Sequence, residues 1–560
     1  MNRYVYILLL TLGFSCIETY AVTYYVATNG NDNNAGTKEL PFLTIGKGAS
    51  VAKAGDVVII KSGTYKPITR IQPANSGTAT APITFMAEVK DEAIIDGSLA
   101  ASPTSTDRLG LFSVLGTSTA TQDWIIVDGL RIINSTFVGF YARYASNITF
   151  KNCSTLNTGA SGFIGANSND IKVLNCKVQK ACQFPSSSLG TNECITMASV
   201  NRFEVAYNTV SDRLVDVNNG GEGIDAKNEC KDGSIHHNTV FDLVRLGIYV
   251  DGFERNLSNV DVYANKVYKC TAGIGLAIEA GGTLTGVKIH DNIVYDIPRV
   301  GIRVSGYLVN GVMKDVFVYQ NTVVRCGNQV GLTYENCGIL VDADDPGNSN
   351  FVVRNNIVAD CPLQIKTKTF AFLTVDNNLL FGTSSTPKPT NPTATYGNSG
   401  TNAILENPLF ENSANADFRL KTDSPAVDKA IGNPQSTIDF YDFARTGKGD
   451  VGAIEKQDVV VIPVILSLQN QEKENEELKL YPNPASGFIN MSFNANSGKK
   501  VSIQVVDLQG HILHSSNFLP SKSGLNTFSL DTEKFESGIY FIRVDDKGNY
   551  RETKKLVIQK

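Results

Sequence analysis

The sequence predicts an all-β chain: a right-handed parallel β-helix followed by a small C-terminal β-sandwich. Three observations predict it. An Asn-x-Val-like turn recurs at Asn152, Asn175, Asn208, Asn238, Asn265, Asn292, Asn321, Asn356 and Asn378, in steps of 23, 33, 30, 27, 27, 29, 35 and 22 residues. A Gly-Ile strand recurs between these turns, as in Gly223-Ile224, Gly247-Ile248, Gly273-Ile274, Gly301-Ile302 and Gly338-Ile339. From Leu478 both repeats give way to longer alternating strands. A period of about two dozen residues with loops of varying length marks stacked coils, each burying its apolar face against the next. Asn side chains at one corner can then hydrogen-bond from coil to coil.

The chain has 560 residues, room for one large domain and one small one, and a formal charge of −5. No basic block stands out, so a nucleic-acid partner is not expected. Residues 1–21 read as a secretory signal, with Arg3 before an apolar run from Val5 to Phe14 and Thr19-Tyr20-Ala21 as cleavage site. That run is too short to span a membrane. A lipid anchor at Cys16 ranks lower, because Gly13 stands where such a signal wants Leu. No later segment reads as a membrane helix, so the mature protein is expected to be exported, secreted or held at the cell surface.

In chain order, Tyr24 to Ala27 reads as a strand, Asn29 to Gly36 as a polar turn, Ile45 to Ala54 as a short amphipathic helix and Val57 to Ile60 as a buried strand. A helix before the first coil covers a strand edge that would otherwise pair with other chains. Residues 22–455 form the β-helix domain. Of ten cysteines, Cys16 leaves with the signal. Cys270, Cys326 and Cys361 each follow their turn Asn by five residues, and Cys153 and Cys176 follow theirs by one. That regularity predicts an inward stack of small apolar thiols rather than a metal site. A disulfide between neighbouring coils, such as Cys153 with Cys176, is the alternative.

Side chains alternate along each Gly-Ile strand, so the residue after Ile and the one two beyond it point outward. One outward row reads Tyr141, Ile164, Thr196, Asp225, Tyr249, Gly275, Arg303, Leu340. The next reads Arg143, Ala166, Ala198, Lys227, Asp251, Ala277, Ser305, Asp342. Charge concentrates where Asp225, Lys227, Tyr249 and Asp251 meet, and these are the candidate catalytic residues. Glu193 and Glu222 fall on neighbouring coils, a like-charge pair that asks for a proton or a cation between them. Ca²⁺ suits such carboxylates, which makes the two a candidate metal site. Arg303, in the row of Asp225 and Tyr249, is placed to hold a carboxylate or sulfate of a substrate. His236 and His237 precede a turn Asn and lack the further ligands of a metal site. Asp342, Asp344 and Asp345 read as a loop or an extra cation site.

After Asn378 the repeat fades into a Thr/Ser/Pro/Asn-rich loop at 384–402, and the segments up to Glu455 look like the closing segments of secreted β-helix proteins. Residues 456–477 are a linker ending in a charged run. Residues 478–560 carry Tyr481-Pro482-Asn483-Pro484, the Gly538-Ile539-Tyr540 strand and a basic Lys554-Lys555 ending. This stretch resembles the C-terminal sorting domain of type IX secretion substrates in the Bacteroidetes, which implies the type IX machinery as a partner.

The N-terminal YYVATNGNDNNAGT, PFLTIGKG and AGDVVIIKSGTY, with the Asn-x-Val coils, resemble the pectate-lyase-like β-helix superfamily, especially secreted polysaccharide lyases of families 9 and 6. The resemblance implies a monomer that cleaves an anionic, uronate-containing polysaccharide such as alginate or pectate by β-elimination. In family 9, Asp residues on adjacent strands hold Ca²⁺ and a Lys on a later strand is the base. Glu222, Gly223 and Lys227 are similar to the first of those strands. The strand Arg245-Leu246-Gly247-Ile248-Tyr249 lacks the paired acids, and the later base position looks like Gly275, which leaves Lys227, Tyr249 or a residue outside this alignment as base. Two readings stand beside it. A β-helix glycoside hydrolase would use two carboxylates, and Asp225 and Asp251 are expected about 8 Å apart by strand geometry, within the inverting range. A non-catalytic surface glycan-binding protein would leave all the acids merely solvated.

Overall fold

The computed structural model describes residues 21–100, 110–183, 193–213, 220–307, 311–368, 370–382 and 400–457, and, towards the C-terminus, 478–481, 483, 485, 487–495, 500–506, 512–520, 524–535, 538–545 and 551–558. The expected signal, apart from Ala21, lies outside them, as do most of the linker and most of the 384–402 loop. The chain divides into two compact units, residues 1–456 and 457–560.

The first unit is a parallel β-helix. Among the described residues, its main sheet has 31 strands, all paired in parallel with the strands one coil below and above except at the two ends. The strands form three strips. One runs through Val138–Arg143, Ile195–Ala206, Ile224–Lys227, Ile302–Tyr307, Cys337–Val341 and Leu363–Thr367. Alternation sets the core: Ile195, Ile224, Ile248, Ile274, Ile302, Ile339 and Ile365 stack inward, one per coil, all buried. Phe85, Phe112, Phe140 and Phe163 fill the wider N-terminal coils, with ring centroids 4.9–6.1 Å apart. The helix Ile45–Val51 lies on the first strands, where Gly48 sits so close to Val58 and Val26 that a Cβ would meet Val58 at 2.7 Å.

The Asn corner is a buried hydrogen-bonded ladder. Each side-chain oxygen accepts the backbone N–H of the Asn one coil below, as in Asn238 to Asn265 (3.1 Å) and Asn265 to Asn292 (3.0 Å), and each Nδ2 donates to a carbonyl of the coil below, as Asn265 does to Ile235 (2.8 Å). The ladder runs from Asn208 to Asn378. Asn152 and Asn175 are not in it. They sit one residue earlier, in left-handed backbone (φ 55° and 52°), and bond to each other on the outside (2.7 Å). In those coils the inner position belongs to Cys153 and Cys176, and the Cys176 N–H donates to Asn208 (2.8 Å). This explains why these two cysteines follow their Asn by one residue. All nine cysteines after Cys16 are buried free thiols.

Residues 400–456 close the domain. Arg445 pairs with Asp291 and with Glu455, Gln320 accepts the N–H of Ser436 (2.7 Å), and Asn355 donates to Ile431 (3.0 Å). The second unit holds a three-stranded and a four-stranded antiparallel sheet around a core that includes Ile489, Phe493, Ile503, Val505, Ile542 and Leu556. Among the described residues, no helix is long and apolar enough to cross a membrane.

Asn265→Ala leaves a buried N–H and two buried carbonyls short of a partner, so it is expected to lower unfolding stability by about 2–4 kcal/mol. Asn175→Ala, on the exposed ladder, is expected to lower it by less than about 1 kcal/mol. Denaturant unfolding of the two variants side by side checks the difference.

Candidate active site

Parallel register brings the predicted residues together. Asp225 lies beside Tyr249 and Lys227 beside Asp251. Thr196 lies below Asp225, Gly275 above Tyr249, and Arg303 above Gly275. The local cause is alternation: Ile224 and Ala226 enter the core, so Asp225 and Lys227 must face out. Gly223 is required where the strip turns its corner, because a Cβ there would stand 2.3 Å from the Gly247 carbonyl. Gly275 has a comparable reason. Its missing side chain is the space filled by the Tyr249 ring and by Leu246, whose atoms a Cβ would meet at 2.9 and 2.4 Å.

The acids form a floor and the cations a rim. Glu193 holds the Lys227 ammonium and accepts from the Thr196 hydroxyl (2.8 Å), which in turn contacts Ser161 (3.2 Å). Asp225 lies 3.5 Å from the same ammonium. Glu222 accepts from Arg245 (3.1 Å). Tyr249 donates its hydroxyl to Glu279. Arg303 donates to Ser305 (2.6 Å) and Glu335 (2.8 Å), and Ser305 bonds to Asp342. The side chains of Lys227, Arg303 and Arg245 keep 19%, 23% and 28% of their surface, whereas those of Glu193, Glu222, Asp225 and Glu335 keep 4%, 9%, 3% and 3%.

Crowding of buried acids separates their titrations. Burial lowers the Lys227 ammonium, but Glu193 and Asp225 more than offset it, so Lys227 is held protonated far above neutral pH. Burial pushes Asp225 well above the carboxylate range, and the pull of Lys227 does not cancel it. Burial and the Glu279 charge raise Asp251 to about 7. Burial and Glu193 also raise Glu222, and burial with the charges of Asp251 and Glu279 raises Tyr249. One oxygen each of Asp225 and Asp251 is buried with no hydrogen-bond partner in the structure.

Glu193 and Glu222 therefore meet their like-charge problem with the chain's own cations. Among the described residues, no group of three or more His, Cys, Asp or Glu stands close enough to hold a metal ion. As arranged, the donor set does not fit Ca²⁺. His236 and His237 lie away from this strip, paired with each other (2.8 Å), and His237 contacts Asp442 of the closing segment (3.1 Å). Asp344 pairs with Lys368 (3.2 Å), and Asp345 caps the turn at Gly347 (2.8 Å). Sequence reasoning missed Arg245, Glu279 and Glu335. Glu279 continues the outward alternation past Ala277, a signal that reading a third position per strand would have found. Glu335 sits on an inter-strand loop, where the repeat offers no register.

Two segments match known families. Residues 24–193 match the Pel9A-like, right-handed β-helix region, and residues 479–559 match the secretion system C-terminal sorting domain. The chain resembles Pel9A-like β-helices over residues 24–193 and carries a type IX sorting domain at its C-terminal end. It is thus an exported protein, secreted or attached to the cell surface. The Pel9A-like match ends at Glu193, so Glu222, Asp225, Lys227, Tyr249, Asp251 and Arg303 lie beyond it. The pectate lyase PEL9 of Emericella nidulans is 35% identical over 161 residues, 27% of this chain and 38% of that protein. The chain thus matches well under half the length of that relative. The uncharacterized protein YwoF of Bacillus subtilis is 25% identical over 463 residues, 72% of this chain and 91% of that one. Among solved structures, the surface adhesin PfbA of Streptococcus pneumoniae superposes with a TM-score of 0.44 at 14% identity, over 63% of this chain and 92% of that one.

The Asp251 assignment has a stability signature. Between about pH 4 and pH 7 the folded state keeps a proton on Asp251 that the unfolded chain has released, so this residue's contribution falls as pH rises through that window and stays lost above it. Asp251→Asn removes the titration. Its melting temperature relative to the wild type is expected to climb from pH 4 to pH 8. A flat difference across that range would contradict the raised carboxyl.

Proposed function

We propose that the exported β-helix cleaves an anionic, uronate-containing polysaccharide by β-elimination in the cleft between Asp225 and Arg303. The observation that carries the reading is the cationic rim. Lys227, Arg245 and Arg303 keep 19%, 28% and 23% of their side-chain surface, whereas Glu193, Glu222 and Asp225, which they pair with or adjoin, keep 4%, 9% and 3%. A polymer approaching this face meets guanidinium and ammonium donors, which suit sugar carboxylates. The pectate lyase relative points the same way.

The reaction removes the proton next to the uronate carboxylate, spreads the resulting charge onto that carboxylate and expels the glycosidic oxygen. Lys227 stays charged and so serves as the countercharge for the enolate rather than as the base. Asp251, titrating at about 7 beside Lys227, takes the proton. Asp225, whose carboxyl burial pushes upward, is the group that returns a proton to the leaving oxygen. Tyr249, anchored by Glu279 over Gly275, forms the wall between these groups and Arg303. No step needs Ca²⁺.

The same pair supports a second reading. A protonated Asp251 with a raised pKa is also suited to be the general acid of a glycoside hydrolase. The two differ in the sign of one pH limb. As a base, Asp251 makes kcat/KM rise as pH increases through about 7; as an acid, it makes kcat/KM fall there. Polygalacturonate and alginate, digested with and without EDTA, test the choice. The lyase reading expects ultraviolet absorbance from unsaturated uronate ends, undiminished by EDTA, with Asp251→Asn at least about 100-fold slower. Reducing ends without that absorbance favour the hydrolase, and no product from any acidic glycan favours a binding protein.

A further inference from the structure

Tyr207 stands at the corner that carries the Asn ladder, away from the strip of Asp225 and Lys227. At that corner each coil places one residue in left-handed backbone, just before the buried Asn or Cys. In five successive coils these are Asn152, Asn175, Tyr207, His237 and Ala264, with φ of 55°, 52°, 59°, 53° and 51°. Register stacks them from coil to coil, since Leu174 pairs with Ala206 and Ala206 with His236. The ladder residue Asn208 is 1% exposed, whereas Tyr207 beside it is 53% exposed.

The exposed ring is held in place. It lies on the His237 ring, with centroids 4.8 Å apart and planes 21° from parallel, and meets His236 edge-on (5.7 Å, 81°). His237 is fixed in turn by Nδ1 of His236 (2.8 Å) and by Asp442 of the closing segment (3.1 Å). His236 stacks on Tyr263, and the column continues through His290 to Tyr319 with centroids 4.7–5.2 Å apart. His236, His290 and Tyr319 are buried. Below Tyr207 the corner residues are amides instead of rings. Asn175 donates to the Asn152 oxygen (2.7 Å), and Asn152 donates to Asp128 (2.7 Å). That row donates downward, so the Asn175 oxygen is its upper end, next to Tyr207. Asn is the shorter side chain, and the outer part of the Tyr207 ring extends past it.

A fixed aromatic face beside an amide suits a pyranose. The C–H face of the sugar carries partial positive charge and lies against the negative face of an aromatic ring, while sugar hydroxyls exchange hydrogen bonds with an amide. A protein partner asks instead for an apolar surface around its anchor. The flanks here are polar: Lys172 pairs with Glu204 (2.7 Å) and Lys151 with Asp128 (3.2 Å). We propose that Tyr207 and Asn175 form a second glycan site, which holds one sugar unit of a polysaccharide chain at the ladder corner and takes no part in bond cleavage. It goes beyond the cleft chemistry and does not depend on it.

Binding measured without turnover tests the second site. Polygalacturonate and alginate are titrated calorimetrically against the full chain carrying Asp251→Asn, alone and with Tyr207→Ala, Tyr207→Phe or Arg303→Ala added. Tyr207→Ala is expected to weaken polymer binding roughly fivefold, the worth of one aromatic contact, and Tyr207→Phe, which keeps the ring, to stay within about twofold. Binding that survives Arg303→Ala and falls with Tyr207→Ala supports the second site even where the cleft reading fails. Binding that is untouched by Tyr207→Ala and lost with Arg303→Ala makes the cleft the sole glycan site and overturns the proposal. A loss as large with Tyr207→Phe as with Tyr207→Ala overturns the aromatic platform. Binding of neither polymer by any of these chains overturns the second site as well.

Discussion

The buried hydrogen bond from one Asn to the next is the constraint on which the molecule depends. From Asn208 to Asn378 it fixes each coil directly over its neighbour, because the side-chain oxygen of one coil must meet the backbone N–H of the coil below. Once that corner is registered, every other position along the strands is registered too, and residues far apart in sequence become neighbours about 4.8 Å apart. The left-handed residue before each ladder Asn, such as His237, Asp291, Gln320 or Asn355, is a local cost that the ladder's hydrogen bonds hold in place.

That forced stacking produces the chemistry of the cleft. Carboxylates on successive coils cannot move apart, so they differentiate instead. Glu193 commits itself to Lys227, Glu222 to Arg245 and Glu279 to Tyr249. Asp225 and Asp251 are left with an oxygen free of hydrogen bonds, and burial raises both carboxyls, Asp251 to about 7. The result is one permanent cation beside two acids of unequal strength, an arrangement able to take a proton, give one and balance the charge between.

Much of this was legible in the sequence because the repeat converts spacing into position. The pairing of Asp225 with Tyr249 and of Lys227 with Asp251 follows from aligning two Gly-Ile strands, and the structure has that register. What was not legible depends on burial and on segments without a repeat. Asn152 and Asn175 look like ladder residues, yet a cysteine takes the inner position in their coils, and only the backbone partner of Asn208 distinguishes the two. Lys227 reads as a base until Glu193 is seen to hold it. Residues 327–336 have no periodicity, so Glu335 as the partner of Arg303 and Arg299 does not follow from the repeat.

The account stands on one division of labour: Asp251 carries the proton that moves near neutrality while Lys227 remains an ammonium. Difference infrared spectroscopy of the carboxyl stretch reads this directly. As pH falls from 9 to 5, the wild type is expected to gain a protonated-carboxyl band with a midpoint at about 7 that is missing from Asp251→Asn. A spectrum in which that variant keeps the band, or in which Asp251 protonates only below about pH 5, within the ordinary carboxylate range, would contradict the account.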